Sequence, residues 1–172
     1  WTGTWKHDGN SSEDSPRSTL GADVRRVRGE SRENFAVAAG ELSEQRVAGG
    51  AQFVAGLFGL HEWSPGENWR ATIGARLDTL SDTDGRRRES NRVTGTVLRD
   101  ERHHDIEEVQ FSPSAGVVWS PGRGWRARAS AQQAFRRPTI NELYRPLHSG
   151  PTITEANPEL RTERVTSAEL GV

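Results

Sequence analysis

The residues best suited to chemistry lie together in one polar stretch, 81–108. His103, His104 and Asp105 have side chains of the kinds that bind metal ions. Adjacent residues in a polar loop rarely converge on one ion, and the chain has no Cys to add a ligand. We therefore expect no metal site and no bound cofactor.

Two other groups in this stretch have ordinary explanations. Asp82–Gly85 has the composition of a calcium-binding loop, but Leu80 and Asn91 stand where the EF-hand pattern needs Asp and Glu. The arginine run 86–88, together with Arg92, has the composition of an anion site. It is offset by acids at Asp84, Glu89, Asp100, Glu101, Glu107 and Glu108. We interpret both groups as parts of a charged, solvated surface loop.

Composition narrows the class of protein. The net charge of −1 over 172 residues argues against a nucleic-acid partner. The sequence has no Met and opens on polar residues, so we expect a piece of a longer chain or a processed product, without a signal peptide. No Ser-His-Asp or paired-carboxylate arrangement has supporting context, so we expect no catalytic residues and no enzyme. Hydrophobic residues make up only 32% of the chain, yet it has 6 Trp, which indicates an ordered fold without a thick core.

The elements that position these residues follow from a repeat. WSPGENW (63–69) and WSPGRGW (119–125) share the pattern Trp-Ser-Pro-Gly-x-x-Trp, in which Pro-Gly marks a tight turn. Apolar residues alternate with polar ones after each turn, which predicts strands with one apolar and one polar face. We predict about seven strands in all. The others lie near 1–7 (with Trp1 and Trp5 on one face), 17–27, 51–63, 109–119 and 164–172.

Strands of about 11 residues, short turns at one end and long polar stretches at the other are typical of an antiparallel transmembrane β-barrel. The long stretches are 28–48, 81–108 and 138–163. We expect them to be long extracellular loops and the short turns to be periplasmic. Trp is favoured at the water–lipid boundary. The predicted membrane-interface aromatics are Trp63, Trp69, Trp119 and Trp125. A soluble β-sandwich that binds carbohydrate through exposed Trp is the alternative, because alternation alone fits both architectures.

The third polar stretch carries a family signature. AFRRPTINELYRPLHSG (134–150) and TEANPELRTERVTSAELGV (154–172) resemble a TonB-dependent outer-membrane receptor, whose barrel typically carries AFRAPTLNELY, then NPxLKPE, then a strand. Arg137 and Thr162 depart from this pattern. The matching positions are Phe135, Arg136, Pro138, Thr139, Asn141, Glu142, Leu143, Tyr144, Asn157, Pro158, Leu160 and Glu163.

The resemblance implies active uptake of a scarce nutrient across the outer membrane of a Gram-negative bacterium. The nutrient would be an iron–siderophore complex, haem or a cobalamin. The implied partners are outer-membrane lipid and lipopolysaccharide, a plug domain, the TonB complex that contacts the plug, and the small-molecule ligand. Neither the plug nor the closing C-terminal strands occur in the sequence, so we expect 1–172 to be part of a barrel that has ~22 strands in such transporters.

Charged residues on the polar strand faces would then face the lumen. The candidates are Arg70, Arg76, Asp78, Arg126, Arg128 and Arg136. One interpretation pairs them with acids of neighbouring strands or of the plug. The other makes them an electropositive route for an anionic ferric chelate.

The signature also predicts local structure. Thr139 and Glu142 fit a capping box, so a short helical turn is expected there. Asn157 before Pro158 fits a second helix start. We expect an ordered loop that folds back before the chain re-enters the membrane at Arg164, and leave open whether it contacts ligand.

Overall fold

The computed structural model describes residues 2–8, 15–38, 41–149 and 152–172, so Trp1 lies outside the described residues. Its elements are β1 (Thr2–Asp8), β2 (Arg17–Ala38), β3 (Glu41–Gly66), β4 (Trp69–Asn91), β5 (Val97–Arg102), β6 (Ile106–Gly122), β7 (Trp125–Arg136), α1 (Ile140–Tyr144), β8 (Leu147–Ser149), β9 (Thr152–Thr154) and β10 (Glu163–Gly171).

The described residues form one large antiparallel sheet. Its strands follow the order β1-β2-β3-β4-β6-β7-β10, and β5 pairs with β4. The seven predicted strands are confirmed. β8 and β9 form a separate two-stranded sheet. Among the described residues, no second sheet packs on the large one as the second layer of a β-sandwich would. This arrangement favours the barrel over the β-sandwich.

The ladders align apolar residues on one side of the sheet, which we call the apolar face. Leu57 pairs with Leu77, and Leu77 with Phe111, so the alternation predicted for each strand is in register across strands. Most large side chains of this face are exposed: Trp5, Leu20, Val24, Phe53, Leu57, Trp69, Ile73, Leu77, Val109, Phe111, Trp119, Trp125 and Leu170. The described residues bury few hydrophobic side chains, so the sheet has no thick core.

The opposite side, which we call the polar face, explains the irregular pattern of β3. Val54, Phe58 and Leu60 break the alternation because they lie on the polar face. The Phe58 ring crosses Gly21 of the neighbouring strand, where a Cβ atom would lie 2.3 Å from Phe58 Cζ. Glycine at position 21 thus makes room for an aromatic ring on the polar face.

The two WSPG repeats have the same geometry. In each, the ladder slips between the first Trp and the Gly, and the two-residue turn follows at 67–68 and 123–124. The Pro-Gly pair therefore lies in the irregularity before the turn rather than at its tip. Trp69 and Trp119 are ladder partners on the apolar face and stack with ring centroids 5.8 Å apart. We call this edge of the sheet the short-turn end.

The expectation of long loops at 28–48 and 81–108 is wrong. β2 and β3 stay paired through the described residues of the first stretch, and β4, β5 and the start of β6 occupy most of the second. The backbone ladder continues because it needs only paired N–H and C=O groups, whatever the side chains. β2, β3 and β4 are therefore about twice as long as a membrane span of ~9–11 residues requires.

A β-bulge corrects the interpretation of Asp82–Gly85 and of the arginine run as a solvated loop. Gly50 of β3 lies opposite both Asp84 and Gly85, and Asp84 has a φ of 58°. The extra residue shifts the alternation of β4 by one position. Arg87 is consequently buried on the polar face, while Arg86 and Arg88 point to the other side.

Candidate functional site on the polar face

The candidate lumen residues of β4 and β7 share the polar face. Arg76 bridges two acids there: Nη1 lies 2.6 Å from Asp23 Oδ2, and Nε lies 2.8 Å from Asp78 Oδ2. The guanidinium crosses β3 above Gly56, where a Cβ atom would lie 2.1 Å from Arg76 Nη2. Asp78 is completely buried, whereas the side chains of Arg76 and Asp23 remain 32% and 24% exposed.

A second ionic cluster lies beyond the bulge. Arg46 donates from Nε to Glu89 Oε1 at 2.7 Å, and Arg87 donates to the same oxygen at 2.8 Å and to Glu155 at 2.7 Å. Burial raises the pKa of Glu89, but the two guanidinium hydrogen bonds outweigh it and leave that pKa below its ordinary value. The cluster ties β3 and β4 to the chain that leads into β10.

The segment 137–147, which we call the α1 segment, lies on the polar face. Ile140 is close to Gly29, and the Tyr144 ring lies over Gly50 and Gly85. These three glycines are opposite one another across β2, β3 and β4, so they form a flat seat without side chains. Burial raises the pKa of Tyr144.

Polar contacts hold both ends of the α1 segment. Arg137 Nη2 lies 2.7 Å from Asp82, and Gln52 Nε2 donates to Asp82 and to Pro138 O at 2.9 Å each. At the other end Arg145 pairs with Glu33 of β2. The third polar stretch is thus ordered from its start, and sequence reasoning missed both its glycine seat and its ionic anchors.

The predicted capping box is present and the second predicted helix is not. Glu142 N donates to Thr139 Oγ1 at 3.3 Å, and Thr139 N donates to Glu142 Oε2 at 2.7 Å. At Asn157 the side-chain oxygen accepts from Glu159 N at 2.9 Å, but only a single turn forms around Pro158. The start of β10 at Glu163 agrees with the predicted return near Arg164.

The remaining signature and candidate residues divide into paired and exposed groups. Arg136 bridges Glu142 and Glu163 at 3.0 Å each, so one signature position joins two others. Arg126 and Arg128 are exposed on the polar face, and Arg70 lies near Glu62 and Trp63. Pairing within the chain therefore accounts for Arg76, Asp78 and Arg136, as the first interpretation proposed.

The side chains on the polar face can bind solutes or exclude them from the space above the sheet. No group of three or more His, Asp or Glu side chains is placed to hold a metal ion in the part of the chain that the structure describes. His103 instead stacks on Tyr144 with ring centroids 5.3 Å apart. No helix among the described residues is long and apolar enough to cross a membrane.

Acidification is expected to loosen the α1 segment. The Arg136 guanidinium and the hydrogen bonds from Thr139 lower the pKa of Glu142 from 4.5 to about 2. A carboxylate with a depressed pKa stabilises the ordered form above its ordinary pKa and loses that effect as pH falls. The loss is expected between pH 4.5 and about 2. Since the chain has no Cys, spin labels at Asn141→Cys and Val93→Cys would report the change as a broader distance distribution.

Glu142→Gln is the matched variant for this measurement. It should show a broad distribution already at neutral pH and should converge with the parent protein near pH 2. A distribution that stays narrow to pH 2 in the parent protein would contradict the assignment.

The comparisons with known proteins agree with this geometry. A family model described as TonB dependent receptor-like, beta-barrel matches residues 1–172, and the chain therefore belongs to this family. The predicted family is confirmed, and the role of the signature residues stays a prediction. The family consists of outer-membrane transporters and receptors rather than enzymes. A comparison with curated proteins gives no match.

Proposed function

We propose that this chain forms part of the wall of a TonB-powered transporter that takes up a scarce nutrient through the outer membrane of a Gram-negative bacterium. The apolar face carries the proposal. From Trp69 to Thr79 it runs ten residues along β4. At ~3.4 Å per residue and a strand tilt of ~40°, this length corresponds to ~26 Å, close to the ~25 Å apolar band of outer-membrane barrels.

The polar face supports a lumen role. Its charged residues suit a wet interior, and the α1 segment narrows the space above it. Trp63, Trp69, Trp119 and Trp125 lie at the short-turn end of the apolar face, where interfacial aromatics are favoured. We infer that the short-turn end is periplasmic. The plug and the TonB complex would act from that side.

An iron–siderophore complex, haem or a cobalamin is the proposed class of cargo. The exposed Arg126 and Arg128 favour an anionic chelate, because an uncompensated guanidinium attracts anions in a confined aqueous space. The signature residues of the α1 segment are proposed to shape this space rather than to react with the cargo.

Uptake of labelled cargo tests the proposal. Cells that lack the protein should lose uptake of one of the three cargo classes, and uptake should return on complementation. A protonmotive-force uncoupler should abolish uptake while binding of the cargo to the cell surface remains, because TonB transmits energy from the inner membrane. Uptake that survives the uncoupler would contradict the proposal, as would a chain that is monomeric and cooperatively folded in plain buffer.

Two variants refine the test. Arg126→Gln/Arg128→Gln should slow the uptake of an anionic chelate several-fold. Arg123→Asn, in the short turn, removes one exposed charge outside the polar face and should leave uptake unchanged.

A further inference from the structure

Four arginines form a cluster on the membrane-facing side of the sheet, just beyond the apolar residues. We call Arg26, Arg28, Arg86 and Arg102 the outer arginine cluster. Arg26 pairs with Phe53 in the β2–β3 ladder, which places it on the apolar face. Arg86 and Arg102 share that side because of the bulge in β4, and all four side chains are exposed.

The cluster begins where the hydrocarbon ends. Arg26 is level with Phe53, and Phe53 with Ser81, which lies twelve residues from Trp69 along β4. At ~3.4 Å per residue and a tilt of ~40° this is ~31 Å above the tryptophans, just past an apolar band of ~25 Å. The arginines are therefore at the height of lipid headgroups, at the end away from the short turns.

The charges of the cluster are incompletely neutralised. Arg86 pairs with Glu30, which Arg32 also contacts. Among the described residues, the structure shows no ion pair for Arg26, Arg28 or Arg102.

Two of these arginines also repel one another. Arg86 and Arg102 are direct partners in the β4–β5 ladder. Like charges in that position destabilise a sheet unless an anion lies between them. A polar recess of about 330 Å³ adjoins this pair, and Arg28, Asp84 and Asp105 also line it.

We propose that the outer arginine cluster binds the phosphate groups of lipopolysaccharide in the outer leaflet. The inference rests on the outer-membrane placement in the proposed function. Guanidinium groups form charge-assisted, often bidentate hydrogen bonds with phosphate. Below the cluster, toward the short turns, the apolar face offers Val24 and Leu57 to the acyl chains of the same molecule. A free phosphate ion would gain nothing from that surface, so the combination favours a phosphorylated lipid.

Binding of lipid A to the full chain in detergent tests the inference. The parent protein should bind diphosphorylated lipid A about tenfold or more tightly than its dephosphorylated form, with a strong salt dependence. Arg26→Gln/Arg28→Gln/Arg102→Gln should remove this difference and leave binding of the dephosphorylated form unchanged. Arg123→Asn, the matched loss of an exposed arginine at the opposite end, should retain it. Inorganic phosphate should compete only weakly.

Several results would overturn the inference. Equal affinity of the parent protein for the two lipids would do so without any variant. If binding requires Mg²⁺ and is unaffected by the arginine substitutions, the phosphate is instead held through Mg²⁺ by Asp84 and Asp105. If the chain inserts into membranes but shows either result, only this inference fails. If it does not insert at all, the proposed function fails as well.

Discussion

Replacing Gly85 with alanine is expected to release the α1 segment from the polar face while the strands beneath stay paired. A Cβ atom at position 85 would lie 2.6 Å from Tyr144 Cε1 and 2.7 Å from its hydroxyl oxygen. The ring cannot shift freely, because Gly50 lies beneath it and His103 stacks on it. Overpacking of this kind costs about 1–3 kcal/mol. Hydrogen exchange of residues 139–147 should accelerate about tenfold or more.

Gly116→Ala is the matched control for this prediction. It lies in the same sheet, and its Cβ atom would approach nothing closer than 3.8 Å. The double variant Gly85→Ala/Tyr144→Ala should be as stable as Tyr144→Ala alone, because the ring that clashes with the alanine at position 85 is gone. If the α1 segment is equally protected from hydrogen exchange in Gly85→Ala and Gly116→Ala, the glycines do not form a seat for it.

Arg76→Met is expected to destabilise the sheet by about 3–5 kcal/mol, because it leaves a buried carboxylate without its partner. Asp78 is completely buried, and Arg76 Nη2 lies 2.6 Å from its Oδ1. Methionine keeps the volume of the side-chain stem, so the loss should come from the charge. The measurement is urea-induced unfolding in lipid vesicles, followed by Trp fluorescence.

The partners of Arg76 supply the controls. Adding Asp78→Asn to Arg76→Met should recover much of the loss, because the buried group is then neutral. Asp23→Asn alone should cost less, since Asp23 is partly exposed and Arg76 keeps Asp78. Arg128→Met removes an exposed arginine from the same face and should have little effect. If Arg76→Met lowers the free energy of unfolding no more than Arg128→Met does, the ion pair between Arg76 and Asp78 contributes nothing to stability.

Much of the sheet could be predicted because its signals are local. The alternation in 69–79 and 125–135 places each side chain by parity alone, and the Trp-flanked turns identify one end of the sheet. The capping box needed only Thr139 and Glu142 three residues apart. In each case the physical cause lies within a few residues of chain.

The side-chain contacts on the polar face could not be predicted in the same way. The seat under Tyr144 joins glycines from three strands, and Arg76 reaches Asp23 across an intervening strand. Neither contact has a local signature. The bulge at Asp84 also shifts parity beyond it, and the charge balance of the arginine run gives no sign that Arg87 is buried.

The same bulge makes position 84 a place where β4 can lose a residue without changing its faces. Asp84 and Gly85 both lie opposite Gly50, so deleting Asp84 would leave Arg86 opposite Gly49 and Arg87 opposite Ala48. A deletion within the regular ladder, for example at Leu77, has no extra residue beside it and would move the following side chains to the opposite side of the sheet. Over evolutionary time, homologous barrels should differ in length by one residue here more readily than along the paired stretches on either side.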